Sequence, residues 1–173
     1  SRRMLVERLG GFGFAVEAAE LFTATMAGAD LAAAEGYRRV VPFLPEPAIE
    51  DLAGLEPAGG TSGRRPPPGW RADAVIVGDL GERWTHGLMQ EAFEHLMEGA
   101  ALVALSRDRY WLRDGRLTLD AGAFVAGLEY ASGRQAAVAG KPSPRFFAAA
   151  VAALGGPAPA TVAMVGDDLW SDV

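Results

Sequence analysis

The 173 residues carry 22 Asp plus Glu against 16 Lys plus Arg, a formal net charge of −6 with the acids scattered, which argues against nucleic acid or an anionic membrane as the main partner. Half of the residues are hydrophobic, enough for one sizeable core or a core with a small companion domain, and the lack of cysteine rules out a disulfide framework and thiolate chemistry. No apolar stretch approaches the roughly 20 residues of a membrane span, and Ser1-Arg2-Arg3 leads into no signal-type segment, so a soluble cytoplasmic protein is expected.

Residues 2–9 have helical spacing, with Met4, Leu5 and Leu9 on one side and Gly10-Gly11 as the stop. "GGFGF" is no dinucleotide loop, because position 16 is Val16 rather than glycine and a helix pattern precedes it. Glu17 to Glu35 is Ala-rich and reads as helix, interrupted near Gly28; "RRVVPFL" reads as a short strand with Pro42 marking an edge or an end. Residues 54–70 are dense in Gly and Pro and read as a loop. Strand and helix then alternate. "DAVIVG" is a buried strand, and Thr85 caps a helix whose apolar ladder runs through Leu88, Ala92 and Leu96 to a stop at Gly99. "ALVAL" is the next strand and "AGAFVAGLEYA" the next helix. His86 and His95 read as solvated surface residues, since nothing stands at ligand spacing from either.

"QAAVAG" is a strand ending at Gly140, Ser143 and Pro144 open a helix built on Phe146, Phe147, Ala150 and Val151, and "TVAMV" returns as a second strand. This is a βαβ unit, which brings Lys141 and Asp167 to the carboxyl ends of neighbouring parallel strands, where open α/β sheets bind ligands. Fifteen of the 16 basic residues are arginine and Lys141 is the only lysine. A lysine kept against that bias suits a place that needs a compact ammonium, although chance alone also leaves one. The acids of "GDDLWSD" fit either a hard divalent cation such as Mg²⁺ or a helix N-terminus that the dipole favours. Lys141, one unit upstream, favours the cation with a phosphate.

"GKPSPRFF" followed by "MVGDDLWSD" resembles the third and fourth signature motifs of the haloacid dehalogenase-like (HAD) hydrolase superfamily. "QEAFEHLMEGA" and "RYWLRDGRLTLDAGAFVAGLEYASG" are similar to subfamily IIA, the group of the phospholysine phosphohistidine inorganic pyrophosphate phosphatase and NagD-type enzymes. The resemblance implies an α/β fold: a HAD-like Rossmann-type core, incomplete here, carrying a large inserted C2-type α/β cap. On this chain the cap is residues 23–138, and the core pieces are 1–22 and 139–173. It further implies Lys141 as the catalytic lysine at the phosphoryl group, Asp167 as the direct Mg²⁺ ligand, and Asp168 and Asp172 as supports of the metal site. The partner is a small phosphorylated substrate, and a homodimer through the cap is allowed.

The family's nucleophile, an aspartate in a strand-end D-x-D, has no match; Asp79 in "VIVGDLG" is followed two residues on by Gly81. The Thr or Ser of the second motif is expected just before Ser1, and the helix that should follow Gly-Asp-Asp is cut short at Val173. The expectation is therefore an internal piece of a Mg²⁺-dependent phosphatase that works through an aspartyl-phosphate, inactive as it stands. A non-catalytic binding or scaffold protein that keeps the cap is the alternative, and a receiver-like domain ranks last because it has no cap. For substrate choice, "SRDRYW" offers Arg109 to an anionic group and Tyr110 or Trp111 as packing surface. The competing expectation is a plain surface loop with Asp108 paired to a neighbouring arginine and the aromatics buried.

Overall fold

The computed structural model describes residues 1–169, 171 and 172; Trp170 and Val173, both part of the C-terminal stretch read above, lie outside the described residues. Among the described residues seven strands form: β1 (Arg39–Phe43), β2 (Glu56–Pro57), β3 (Ala74–Val77), β4 (Ala101–Ala104), β5 (Tyr110–Arg113), β6 (Arg116–Leu119) and β7 (Ala137–Val138). Five of them make one sheet in the order β2-β1-β3-β4-β7 with every pairing parallel, and β5 pairs antiparallel with β6 as a separate hairpin.

Alternation along the strands sends side chains to two faces. Val41, Phe43, Val75, Val77, Leu102 and Ala104 meet Ala92 and Leu96 of a helix at His86–Met97 and Val125 and Leu128 of another at Ala121–Ser132. Val40, Ala74, Ile76 and Val103 turn the other way, under Ala27 and Leu31 of a helix at Ala24–Ala34. In chain order the helices are α1 (Arg2–Gly11), α2 (Ala24–Ala34), α3 (Glu46–Ile49), α4 (His86–Met97), α5 (Ala121–Ser132) and α6 (Pro144–Ala153). Helices on both faces of a parallel sheet make this an α/β fold. Two helix starts follow their caps: the Leu88 N–H donates to Thr85 Oγ1 at 3.2 Å and the Met26 N–H to Thr23 Oγ1 at 3.3 Å. Among the described residues no helix is long and apolar enough to cross a membrane.

Three expectations change and a fourth is narrowed. Gly28 does not break its helix; it sits buried inside α2, where a Cβ would run into the Leu105 side chain, so the glycine lets helix and sheet approach. Pro42 is the last residue but one of β1, so it marks the strand's end and not a sheet edge. Its carbonyl accepts the Thr61 N–H at 2.8 Å, so its missing N–H falls on the side where β2 has already ended, and no ladder bond is lost. "TVAMV" forms no strand: Pro159–Thr161 is a 3₁₀ turn and the following residues are largely exposed. A parallel strand is held by bonds to a neighbour, and no described strand runs beside it, so the βαβ unit is not closed. His95 is not solvated either; its ring stands edge-on to Trp70 at 6.3 Å with only 17% of the side chain exposed.

At the start of β1, Asp73 accepts the Arg38 and Arg39 backbone N–H groups at 3.0 and 2.8 Å and the Arg39 Nη2 at 2.6 Å. The Arg39 guanidinium, more than any other cause, lowers the Asp73 carboxyl to about 2. A depressed carboxyl stabilises the fold above its unfolded-state value near 4 and loses that contribution as the pH falls towards the folded value. Asp73→Asn is expected to cost about 1 kcal/mol at neutral pH, since the pair is largely solvated. The difference in urea midpoint from the parent chain should shrink as the pH is taken from 7 to about 2; a gap of constant size would mean that the carboxylate charge is not used.

Candidate active site

β7 delivers Lys141 through Ala139 and Gly140. The Ala139 N–H donates to the Ala104 carbonyl at 2.8 Å, which ties this exit to the end of β4. Lys141 Nζ donates to Asp172 Oδ1, and Asp172 is buried. The other oxygen, Oδ2, accepts the Asp168 N–H at 3.2 Å, and the Asp167 N–H also donates to this carboxylate. The Lys141 hydrogen bond first, and the Asp168 N–H second, hold the Asp172 carboxyl below the ordinary aspartate value. Gly166 is packed against the same carboxylate, and a Cβ there would overlap it. The Asp172 N–H in turn donates to the Asp168 carbonyl at 2.9 Å, so Lys141 meets an oriented anion.

Lys141, Asp167, Asp168 and Asp172 line an open cleft of about 640 Å³, and Arg109 and Tyr110 line the same cleft. All six residues singled out in the sequence share this cavity. Its remaining wall includes Asp108, Trp111 and Asp120. The plain-loop expectation for "SRDRYW" holds only in part: residues 106–109 are a loop, but the pairing and the burial differ. Asp108 accepts Ser106 Oγ at 2.9 Å instead of an arginine, and Arg107 pairs with Glu129 at 2.5 Å. Tyr110 and Trp111 stay 51% and 42% exposed, with the Arg109 guanidinium 5.6 Å from the Tyr110 ring centre.

Asp120 was not singled out beforehand. It caps α5, accepting the Ala121 N–H at 2.6 Å, and burial chiefly, then the charges of Asp79 and Asp108, raise its carboxyl above the ordinary value. The signal was present: an acid directly ahead of "AGAFV" is an N-cap pattern. Asp79 accepts the Gly81 N–H at 2.7 Å and shapes the turn after β3, so it serves the backbone there. His86 and His95 do not line the cleft.

Among the described residues no group of three His, Asp or Glu side chains stands close enough to hold a metal ion. The oxygens of Asp172 are engaged by Lys141 and two backbone N–H groups, which suits orientation more than ligation. Asp167 and Asp168 bring further carboxylates to the cleft, as do Asp108 and Asp120. One or two carboxylates suit a small divalent cation that keeps several waters.

A lysine and several carboxylates at one cleft of a parallel α/β sheet are side chains suited to holding a phosphate group. The haloacid dehalogenase-like hydrolase model matches residues 8–173, and the chain belongs to that family. It is 32% identical over 173 residues to haloacid dehalogenase-like hydrolase domain-containing protein 2 of Bos taurus, covering 100% of this chain and 61% of the relative. The human phospholysine phosphohistidine inorganic pyrophosphate phosphatase is 42% identical over 103 residues, 58% of this chain and 38% of that protein. A glycerol phosphate phosphatase from Mycobacterium tuberculosis, solved in complex with magnesium, superposes with a TM-score of 0.74 at 29% identity, over 88% of this chain and 45% of that one. The chain thus spans about 61% of the length of the relative that it matches throughout.

Proposed function

We propose that this chain is part of a Mg²⁺-dependent, cytoplasmic phosphatase that hydrolyses a small phosphomonoester or phosphoanhydride through an aspartyl-phosphate. The observation that carries the reading is the cleft in which Lys141, held by buried Asp172, stands with Asp167 and Asp168. The nucleophilic aspartate of this reading is not one of the 173 residues, which hold no D-x-D. In this reading residues 23–138 are the cap and 1–22 and 139–173 belong to the core, a division supported by all seven strands lying between Arg39 and Val138.

Asp167 and Asp168 would hold the metal, which supplies charge neutralisation at the phosphoryl oxygens. Lys141 places a point positive charge on the same oxygens while Asp172 fixes its direction. Asp172 stays ionised in this role, because its carboxyl lies below the ordinary value. Arg109 and Tyr110, which line the same cleft, meet the leaving group.

The test is phosphate release from the protein extended to include a D-x-D segment, with and without Mg²⁺. Asp167→Ala is expected to abolish turnover and the response to added Mg²⁺ together. A variant that still answers to Mg²⁺ as the parent does would remove Asp167 from the metal site. Turnover that persists in a chelator would remove the metal itself.

A further inference from the structure

Glu129, on α5, divides one carboxylate between two segments. Its Oε2 accepts Arg107 Nη2 at 2.5 Å and its Oε1 accepts the Ala136 N–H at 2.9 Å, with only 14% of the side chain exposed. Gly133, at φ 69°, ends α5 and turns the chain back, which brings Ala136 within reach. Arg107 directly precedes Asp108 and Arg109 on the loop after β4, and Ala136 directly precedes β7, which runs on to Lys141. Asp108, Arg109 and Lys141 line the cleft, whereas Arg107, Glu129 and Ala136 do not. One side chain outside the cleft therefore holds two segments that enter it.

The helix that carries Glu129 is a firm reference, because Val125 and Leu128 bury it against the sheet. At its amino end the Gly122 N–H donates to the Asp108 carbonyl at 3.0 Å and the Asp120 N–H to the Arg109 carbonyl at 3.2 Å. A Cβ on Gly122 would overlap the Arg107 and Asp108 carbonyls, so the loop lies directly on the first turn of α5. Glu129 stands about 10 Å further along the same helix. The Arg107 guanidinium thus ties the loop at a second point, and two separated ties keep it from pivoting. β7 is short and lies at the end of the sheet order, beside β4 alone. The Ala139 N–H on the Ala104 carbonyl holds its far end, and Glu129 holds its near end.

We propose that Glu129 is a positioning residue, which through Arg107 sets where Asp108 and Arg109 stand and through Ala136 sets the path of β7 towards Lys141. The inference rests on the phosphatase reading and adds to it a residue that touches neither phosphate nor metal. Reacting groups lose much of their effect when their support lets them drift by about 1 Å. Two substitutions separate the two duties. Glutamine keeps an acceptor for the Ala136 N–H but turns an N–H₂ group towards the guanidinium, so it gives up the Arg107 tie alone. Alanine gives up both.

The test measures amide hydrogen exchange and the turnover of p-nitrophenyl phosphate in Mg²⁺ on the complete enzyme. Glu129→Gln and Arg107→Ala should each speed exchange over residues 106–110 and raise KM about fivefold with kcat within about twofold, the size of losing one partly exposed charged pair. Arg107→Lys should stay near the parent, and Glu129→Gln combined with Arg107→Ala should be no worse than either alone. Glu129→Ala should also speed exchange over residues 136–141 and lower kcat at least about fivefold. Should that variant fail to fold, Arg107→Ala, at a side chain 48% exposed, still tests the loop tie. If the Glu129 variants lower the urea midpoint while KM and kcat stay parental, Glu129 braces the fold alone and the inference is overturned. Full additivity of Glu129→Gln and Arg107→Ala overturns it as well, since the two would not act as a pair. A parent enzyme without turnover overturns the phosphatase reading, and this inference falls with it.

Discussion

Lys141→Arg should lower kcat of the complete enzyme by about a hundredfold or more although it keeps the charge, a loss of the size seen when one preorganised donor to a developing anion is removed. The reason lies in what surrounds the ammonium. Asp172 is buried, its second oxygen is held by the backbone of Asp167 and Asp168, and Gly166 is packed against it. That leaves a compact tetrahedral donor one direction of approach. A planar guanidinium needs a bidentate acceptor, which Asp172 is no longer able to offer. Lys141→Ala should fall at least as far. Turnover of the arginine variant near the parental rate would mean that charge alone serves there, and that the solitary lysine is an accident of composition. The pair should also survive mild acid. Lys141 lowers the Asp172 carboxyl, so its contribution is complete above the ordinary aspartate value and is lost only as the pH falls through the lowered one.

The fold class and the gathering of the candidate residues at one cleft were legible in the sequence, several details of the fold were not, and the difference is physical. Lys141 and the three aspartates stand out because hard cations and phosphate leave few choices of side chain, and their short spacing survives any detail of strand pairing. The buried strands β1, β3 and β4 were also plain, since each is a short apolar run between turn signals. What failed needed knowledge of neighbours. "TVAMV" has strand composition, but composition supplies no partner for its backbone, and none runs beside it among the described residues. Gly28 looks like a helix breaker until the Leu105 side chain that occupies its missing Cβ is seen. The β5–β6 hairpin is a different case. "RDGR" between "YWL" and "RLTL" is a two-residue hairpin signal, so this element was legible in the sequence although no strand was assigned there.

Gly140→Ala should be the most damaging single methyl that can be added near the site. Gly140 is buried between the exit of β7 and the end of β4, and a Cβ there would run into the carbonyl oxygen of Leu105, with the Ala24 methyl 3.5 Å away on another side. The obstacle is backbone, so no rotamer change relieves it; the end of β4 and the 139–141 segment must move apart. The Ala139 N–H to Ala104 bond, which ties the same segment to β4, then stretches too. Overpacking of this kind costs about 1–3 kcal/mol, and the displaced residue is the immediate neighbour of Lys141, so turnover should fall along with stability. Gly10→Ala is the matched control. Gly10 lies in α1 with nothing within 4 Å of a Cβ, and alanine should raise stability by about 0.5–1 kcal/mol through helix propensity alone. Urea midpoints of the two variants should therefore move in opposite directions, with kcat reduced only in Gly140→Ala. A Gly140→Ala protein of unchanged midpoint and unchanged kcat would show that β4 and the lysine-bearing segment separate freely. Lys141 would then owe its position to Asp172 alone and nothing to the sheet.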